Sequence, residues 1–191
     1  FGLKGANANA VDLDELTCLL ESGSDRIGAL DFQRSATDYV PRAATNVSLE
    51  ELVRSAERVE RGVPLTAELD QALFHGSSIG GARPKALIDD NGTKYIAKFS
   101  STSDLYSLVK AEFIAMRLAK LAGLDVASVS LTTSAHKDVL LIERFDRLHT
   151  TRGWQRKAMV SALTLLQLDD MMARYAGYAN LAEIVRHRFT H

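Results

Sequence analysis

ARPKALIDDNGTKYIAKF, residues 82–99, reads as two short strands and the turn between them. The strands run from Ala82 to Ile88 and from Lys94 to Phe99, joined by Asp89-Asp90-Asn91-Gly92. Asn-Gly in such a linker is a strong hairpin signal, because both residues tolerate the positive φ of a tight turn. Side chains alternate across a strand, so Ile96 and Lys98 share one face. Tyr95, Ala97 and Phe99 share the other.

Downstream, a helix is expected from about Asp104 to Leu121, stopped by Gly123. Leu108, Glu112 and Met116 are four apart and lie on one side of it. A carboxylate among apolar neighbours is costly to bury unless paired. Glu112 therefore either meets a cation such as Lys98 or reaches solvent from the helix flank. Two apolar strands follow, near Val126–Thr133 and Asp138–Ile142. Val139-Leu140-Leu141-Ile142 runs straight into Glu143-Arg144-Phe145-Asp146-Arg147, where Phe145, flanked by four charged residues, reads as a core anchor.

Upstream lies His75-Gly76-Ser77-Ser78-Ile79-Gly80-Gly81-Ala82. Its glycines would let the backbone approach a phosphate and turn N–H groups toward it. A plain Gly/Ser turn has the same composition. The run departs from the Walker pattern, with Ala82 where Lys would stand, and from the kinase G-x-G-x-x-G pattern.

Glycine run, hairpin, lysine strand, helix with an acid, apolar strand and exposed exit follow the order of a protein-kinase amino-terminal lobe. Lys98 resembles the kinase V-A-I-K lysine that contacts nucleotide phosphates. Glu112 resembles the helix glutamate that pairs with it. More specifically, the chain resembles the HipA-like toxin kinases through Ser24-Asp25-Arg26-Ile27-Gly28-Ala29-Leu30-Asp31-Phe32 and through Gly76 to Lys85. The likeness continues in Ile96-Ala97-Lys98-Phe99, Glu112 to Ala119 and Leu141 to Arg147, in family order.

That resemblance implies an ATP- and Mg2+-dependent serine/threonine protein kinase. It would be the toxin of a toxin–antitoxin module, restrained by a DNA-binding HipB-type antitoxin. It would be cytoplasmic, without a membrane role, and would touch DNA only through the antitoxin. Its protein target would be of the aminoacyl-tRNA synthetase class, and its modification would slow growth toward persistence. By the same resemblance Ser78, Ile79, Gly80, Gly81 and Ala82 cover the ATP phosphates, and Lys98 grips them. Glu143 and Phe145 stand at the hinge positions. Ser78 matches the autophosphorylated serine, with Ser77 adjacent as the other candidate.

The expected fold class is α+β: a protein-kinase-like amino-terminal lobe with a small mixed amino-terminal region and a helical carboxyl-terminal segment. Residues 1–74 would form the amino-terminal region, 75–149 the lobe, and 150–191 the start of a second lobe. Residues 1–45 read as loops, apart from a short strand over Arg26–Phe32. Ser48 and Glu51 form a capping box for a helix ending near Gly62, and Thr66 can cap another through about Phe74. From Thr151 onward the pattern is mainly helical.

No D-x-H-x-x-N-like catalytic loop occurs in the sequence. Asp169 and Asp170 read as helix-boundary acids, and His187 and His191 have no nearby Asp. The chain thus reads as a part of a longer kinase, carrying neither the catalytic residues nor the metal ligands and inactive alone. The alternative is a non-catalytic split-toxin subunit or antitoxin-binding module. A net charge of −1 supplies no general basic field for nucleic acid. Cys18 is the single cysteine, which excludes an internal disulfide framework and reads as a reduced, partly buried thiol.

Overall fold

The structure is a computed structural model, and it describes residues 14–42, 47–66, 69–70, 72–73, 83, 85–101 and 104–189. Its centre is a four-stranded antiparallel sheet of β1 (Lys85–Asp90), β2 (Thr93–Phe99), β3 (Val129–Ser134) and β4 (Lys137–Glu143). The spatial order is β1-β2-β4-β3. Asn91 and Gly92 take φ of 50° and 76°, the left-handed pair that a two-residue hairpin requires. Ala135 and His136 turn β3 into β4 with φ of 46° and 62°. Neither residue type advertises that conformation, so this second hairpin has no turn signal in the sequence.

Helix α2 (Leu49–Glu60) begins with the expected capping box. The Ser48 N–H donates to Glu51 Oε2 at 3.0 Å, and the Glu51 N–H donates to Ser48 Oγ at 3.3 Å. Its Leu52, Val53 and Ala56 pack with Ala86, Ala97, Phe99 and Val139 in one buried cluster. These are alternate strand residues, so α2 covers one face of the sheet. Burying each of the larger aliphatic side chains is worth about 1.5–3 kcal/mol relative to exposure.

Helix α3 (Leu108–Leu121) starts at the Ser107 cap, later than the expected Asp104, and ends before Gly123, whose φ is 85°. It packs against β3 and β4 from the other face. Lys110 reaches Asp138 at 2.9 Å there, while Lys137, one strand position away, turns to Glu57 of α2 at 3.1 Å. The sheet is therefore held between two helices.

Four expectations are corrected. Residues 15–21 form a helix, α1 (Glu15–Glu21), whose first turn is closed by the Thr17 N–H donating to Asp14 Oδ1 at 2.7 Å. Cys18 on it is exposed, not partly buried. Arg26–Phe32 is irregular chain, not a strand, because its backbone groups are taken by arginine and aspartate side chains described below. The segment after Thr151 is not mainly helical at its start. A hairpin of β5 (Arg147–Thr150) and β6 (Gly153–Arg156) precedes a short α4 (Ala162–Leu166), a 3-10 helix (Asp170–Tyr175) and α5 (Tyr178–Arg188). The expected helix after Thr66 lies partly outside the described residues. Residues 69–70 and 72–73 are helical, and Ala72 joins the core.

Candidate functional site

The face opposite α2 carries Lys85 and Leu87 of β1, Ile96 and Lys98 of β2, and Leu140 and Ile142 of β4. It is apolar apart from its two lysines. Lys98 Nζ donates to Glu112 Oε1 of α3 at 2.5 Å, and the two side chains are 31% and 38% exposed. Strand alternation aims Lys98 at this face, and the register of α3 brings Glu112 over it. The ion pair holds a flexible amine at one place beside solvent, where an anion can reach it.

Lys85 is the cross-strand partner of Lys98 and is only 6% exposed. Burial pushes its amine below the ordinary lysine value, and the charge of Lys98 pushes in the same direction.

Ser77, Ser78, Ile79, Gly80, Gly81 and Ala82 lie outside the described residues. Arg83, which follows them directly, grips Asp104 with both guanidinium arms, at 2.8 and 2.6 Å. The Ser101 N–H also donates to Asp104, at 3.0 Å. The Arg83 hydrogen bonds, with that backbone donor, hold the Asp104 carboxyl down at about 2. This clamp ties the exit of the glycine run to the turn leading into α3. It also explains the late start of α3, since the Asp104 carboxylate is engaged elsewhere. No sequence signal marks a pair 21 residues apart.

At the strand exit, Glu143 pairs with Tyr95 across the ladder, and the Arg144 N–H donates to Lys94 O at 2.8 Å. Phe145 is 58% exposed, so it is not the core anchor its charged neighbours suggested. The charged neighbours themselves go inside. Arg144, Asp146 and Arg147 are buried, and Arg144 holds Asp146 with two bonds at 3.0 and 2.8 Å. Arg147 Nη1 adds a third at 2.9 Å, and the Gly28 N–H a fourth at 2.8 Å. Arg147 Nε donates to Asp25 Oδ1 at 2.8 Å. Arg144 and Arg147 also donate to the carbonyls of Asp25, Arg26 and Gly28.

For Asp146 and Asp25 alike, burial raises the carboxyl pKa, but the arginines around them, with the Gly28 N–H at Asp146 and Lys94 at Asp25, outweigh it and the net direction is down. Two stretches about 120 residues apart thus form one buried polar cluster directly beneath the strand exit.

Asp169 caps the 3-10 helix by accepting from the Met172 N–H at 2.9 Å, and Asp170 accepts from the Met171 N–H. Both are helix-boundary acids. His187 pairs loosely with Glu183 at 3.4 Å on exposed α5, and His191 lies outside the described residues. Among the described residues no group of three or more His, Cys, Asp or Glu is placed to hold a metal ion. None of their helices is long and apolar enough to cross a membrane.

The family model for the HipA-like C-terminal domain matches residues 77–191, more than half of the chain. The chain belongs to the HipA-like C-terminal domain family. This HipA-like chain is 30% identical over 136 residues to the serine/threonine-protein kinase toxin HipA of Shewanella oneidensis. That match covers 65% of the chain and 30% of the relative, so the chain spans less than a third of that protein's length. Among solved structures it resembles a chain from the Shewanella oneidensis toxin–antitoxin complex of HipA, HipB and operator DNA. The TM-score is 0.56 and the identity 24%, over 84% of this chain and 40% of that one. At that identity the likeness establishes the fold, which is the expected α+β, HipA kinase-like architecture.

Proposed function

We propose that this chain is the nucleotide-gripping part of a HipA-type serine/threonine protein kinase, the toxin of a toxin–antitoxin module. The observation that carries the reading is the Lys98–Glu112 pair at 2.5 Å on an otherwise apolar sheet face. Lys98 supplies the cation for the ATP phosphates, and Glu112 fixes its amine so that little ordering is left for the moment of binding. Leu87, Ile96 and Ile142 offer the same face an apolar surface on which a purine ring can lie. Glu143 and Phe145 stand at the hinge, where backbone groups meet adenine and the exposed ring of Phe145 is free to cover it. Ser78, Ile79, Gly80, Gly81 and Ala82 close over the phosphates, and Ser78 is the autophosphorylation site.

Mg2+ accompanies ATP in this chemistry, and the described residues do not fit a metal. We assign its ligands, and the residue that orients the attacking hydroxyl, to parts of the kinase outside residues 1–191. Residues 1–74 serve as the amino-terminal region, 75–149 as the lobe and 150–191 as the start of the second lobe. The partner is a HipB-type antitoxin, through which the protein reaches DNA, in a cytoplasmic setting. The target is a protein of the aminoacyl-tRNA synthetase class. The solved relative in complex with HipB and operator DNA supports the partner reading.

Thermal or denaturant unfolding with and without ATP tests the grip. At 100 times the dissociation constant, ATP should add about 2.7 kcal/mol of stability. Lys98→Ala should remove that gain and Glu112→Gln should reduce it. ATP protection that is identical in wild type and Lys98→Ala would rule the site out. In a protein carrying the complete kinase, Lys98→Ala should abolish autophosphorylation. Ser78→Ala should remove the modified residue seen by mass spectrometry.

A further inference from the structure

We propose that Asp25 is a positioning residue for the purine end of the nucleotide site. It touches no ligand itself and fixes the strand exit, residues 143–147, by bridging Lys94, Arg144 and Arg147. This rests on the nucleotide-binding reading above and deepens it.

Asp25 belongs to the amino-terminal segment, yet every cation it holds comes from the strand exit. Its Oδ1 takes Arg147 Nε at 2.8 Å and Arg144 Nη1 at 3.2 Å, and its Oδ2 takes Lys94 Nζ at 3.0 Å. Lys94 is the second residue of β2, and its carbonyl accepts the Arg144 N–H at 2.8 Å. One carboxylate therefore spans the start of β2 and the chain that leaves β4.

That bridge decides which way the exit faces. Arg144, Asp146 and Arg147 are buried, while Glu143 and Phe145 are exposed. Among the described residues none hydrogen-bonds the backbone N–H or C=O of Phe145, so both are open to a ligand. A ligand-facing backbone is only as fixed as the side chains that anchor it. Burial, and after it the charge of Arg144, push the Arg147 guanidinium below its ordinary value, and Asp25 is the first group to oppose them. Without the Asp25 charge, Asp146 is left to serve both arginines, and Lys94 keeps only the more exposed Asp89.

The main core and the phosphate end lie elsewhere. The buried apolar cluster beneath α2 draws no residue from 24–32 or 143–147, so a loosened exit leaves it packed. Lys98 stands four residues beyond Lys94 along β2, about 13 Å away at about 3.3 Å per residue, and has its own acid in Glu112. Loss of Asp25 is thus felt at the purine end and not at the phosphates.

Titration calorimetry of the full chain with ATP and with inorganic tripolyphosphate tests this, at constant ionic strength and well below the melting temperature. Wild type should prefer ATP. Asp25→Asn should weaken ATP tenfold or more while tripolyphosphate stays within twofold. Asp25→Glu keeps the charge and should return ATP to within about threefold of wild type. Lys98→Ala, at the other end, should weaken both ligands alike. A merely structural Asp25 would lower the melting temperature and leave the ATP-to-tripolyphosphate ratio unmoved. That result overturns the proposal and leaves the nucleotide reading standing, as does a wild type with no preference for ATP. Should Asp25→Asn fail to fold, Lys94→Gln, which breaks the bridge at β2, is held to the same ratio. Wild type binding neither ATP nor tripolyphosphate overturns both readings.

Discussion

Asp104 illustrates how a single side chain links two parts of the site. Its carboxylate accepts both arms of Arg83 and the Ser101 N–H, so it stays ionised down to about pH 2. An unfolded aspartate titrates near 3.9. A folded-state pKa below the unfolded one means stability that is complete above the unfolded value and lost as pH falls toward the folded one. Asp104→Asn should therefore be less stable than wild type at pH 7, and the gap should close between about pH 4 and pH 2. Urea melts across that range check it, and a gap that stays constant with pH would sink the ion-pair account. The Lys98–Glu112 pair is the contrasting case. Its carboxylate is 38% exposed against 8% for Asp104, so the pair adds less to stability.

At the scale of elements, local chemistry decides where helices and turns begin and end. The capping box at Ser48 satisfies two N–H groups that α2 cannot bond internally. Ser48→Ala should cost about 1 kcal/mol of stability, read from the denaturant midpoint, with nucleotide binding unchanged. Gly28 behaves differently. Its φ of 77° is open to few other residues, and an added Cβ would sit 3.0 Å from Met159 Cβ and 3.2 Å from its backbone nitrogen. Gly28→Ala should cost at least about 1–2 kcal/mol from the left-handed backbone alone. An unchanged melting temperature would show that the 24–32 segment is not held as described. The β5–β6 hairpin owes its place to neighbours: Lys94 lies 5.0 Å over the Trp154 ring, and His149 meets that ring edge-on at 4.9 Å.

For the whole molecule, the Asp25–Arg144–Asp146–Arg147 cluster is the joint between the amino-terminal segment and the sheet. It turns Arg144 and Asp146 inward, and Phe145 between them is thereby turned outward into solvent. Removing one partner of a buried ion pair leaves the rest uncompensated, at about 3–5 kcal/mol. Asp146→Asn should lower stability by that order. It should also expose residues 24–42 to protease before the sheet opens. Loss of both regions together would indicate a single cooperative unit instead.

The first hairpin, the α2 cap, the lysine's strand face and the Glu112 helix were legible in residues 48–121, because each depends on neighbours a few positions away. The glycine run was legible only as composition, and the described residues do not include it. Three other readings failed for one physical reason. Ile27, Ala29 and Leu30 look like strand residues, but the backbone of Arg26 and Gly28 beside them is engaged by side chains more than 110 positions downstream. Phe145 looks like an anchor until Arg144 and Asp146 find those same partners. Arg147–Arg156 has no apolar alternation, yet it pairs as a hairpin once Arg147 and Trp154 meet Asp25 and Lys94. The sequence by itself determined the α+β elements around the hairpin and the order in which the candidate site residues occur. Only the tertiary structure decided which charges are buried, which lysines face each other, and that Phe145 faces solvent, because those outcomes depend on contacts between residues far apart in the chain.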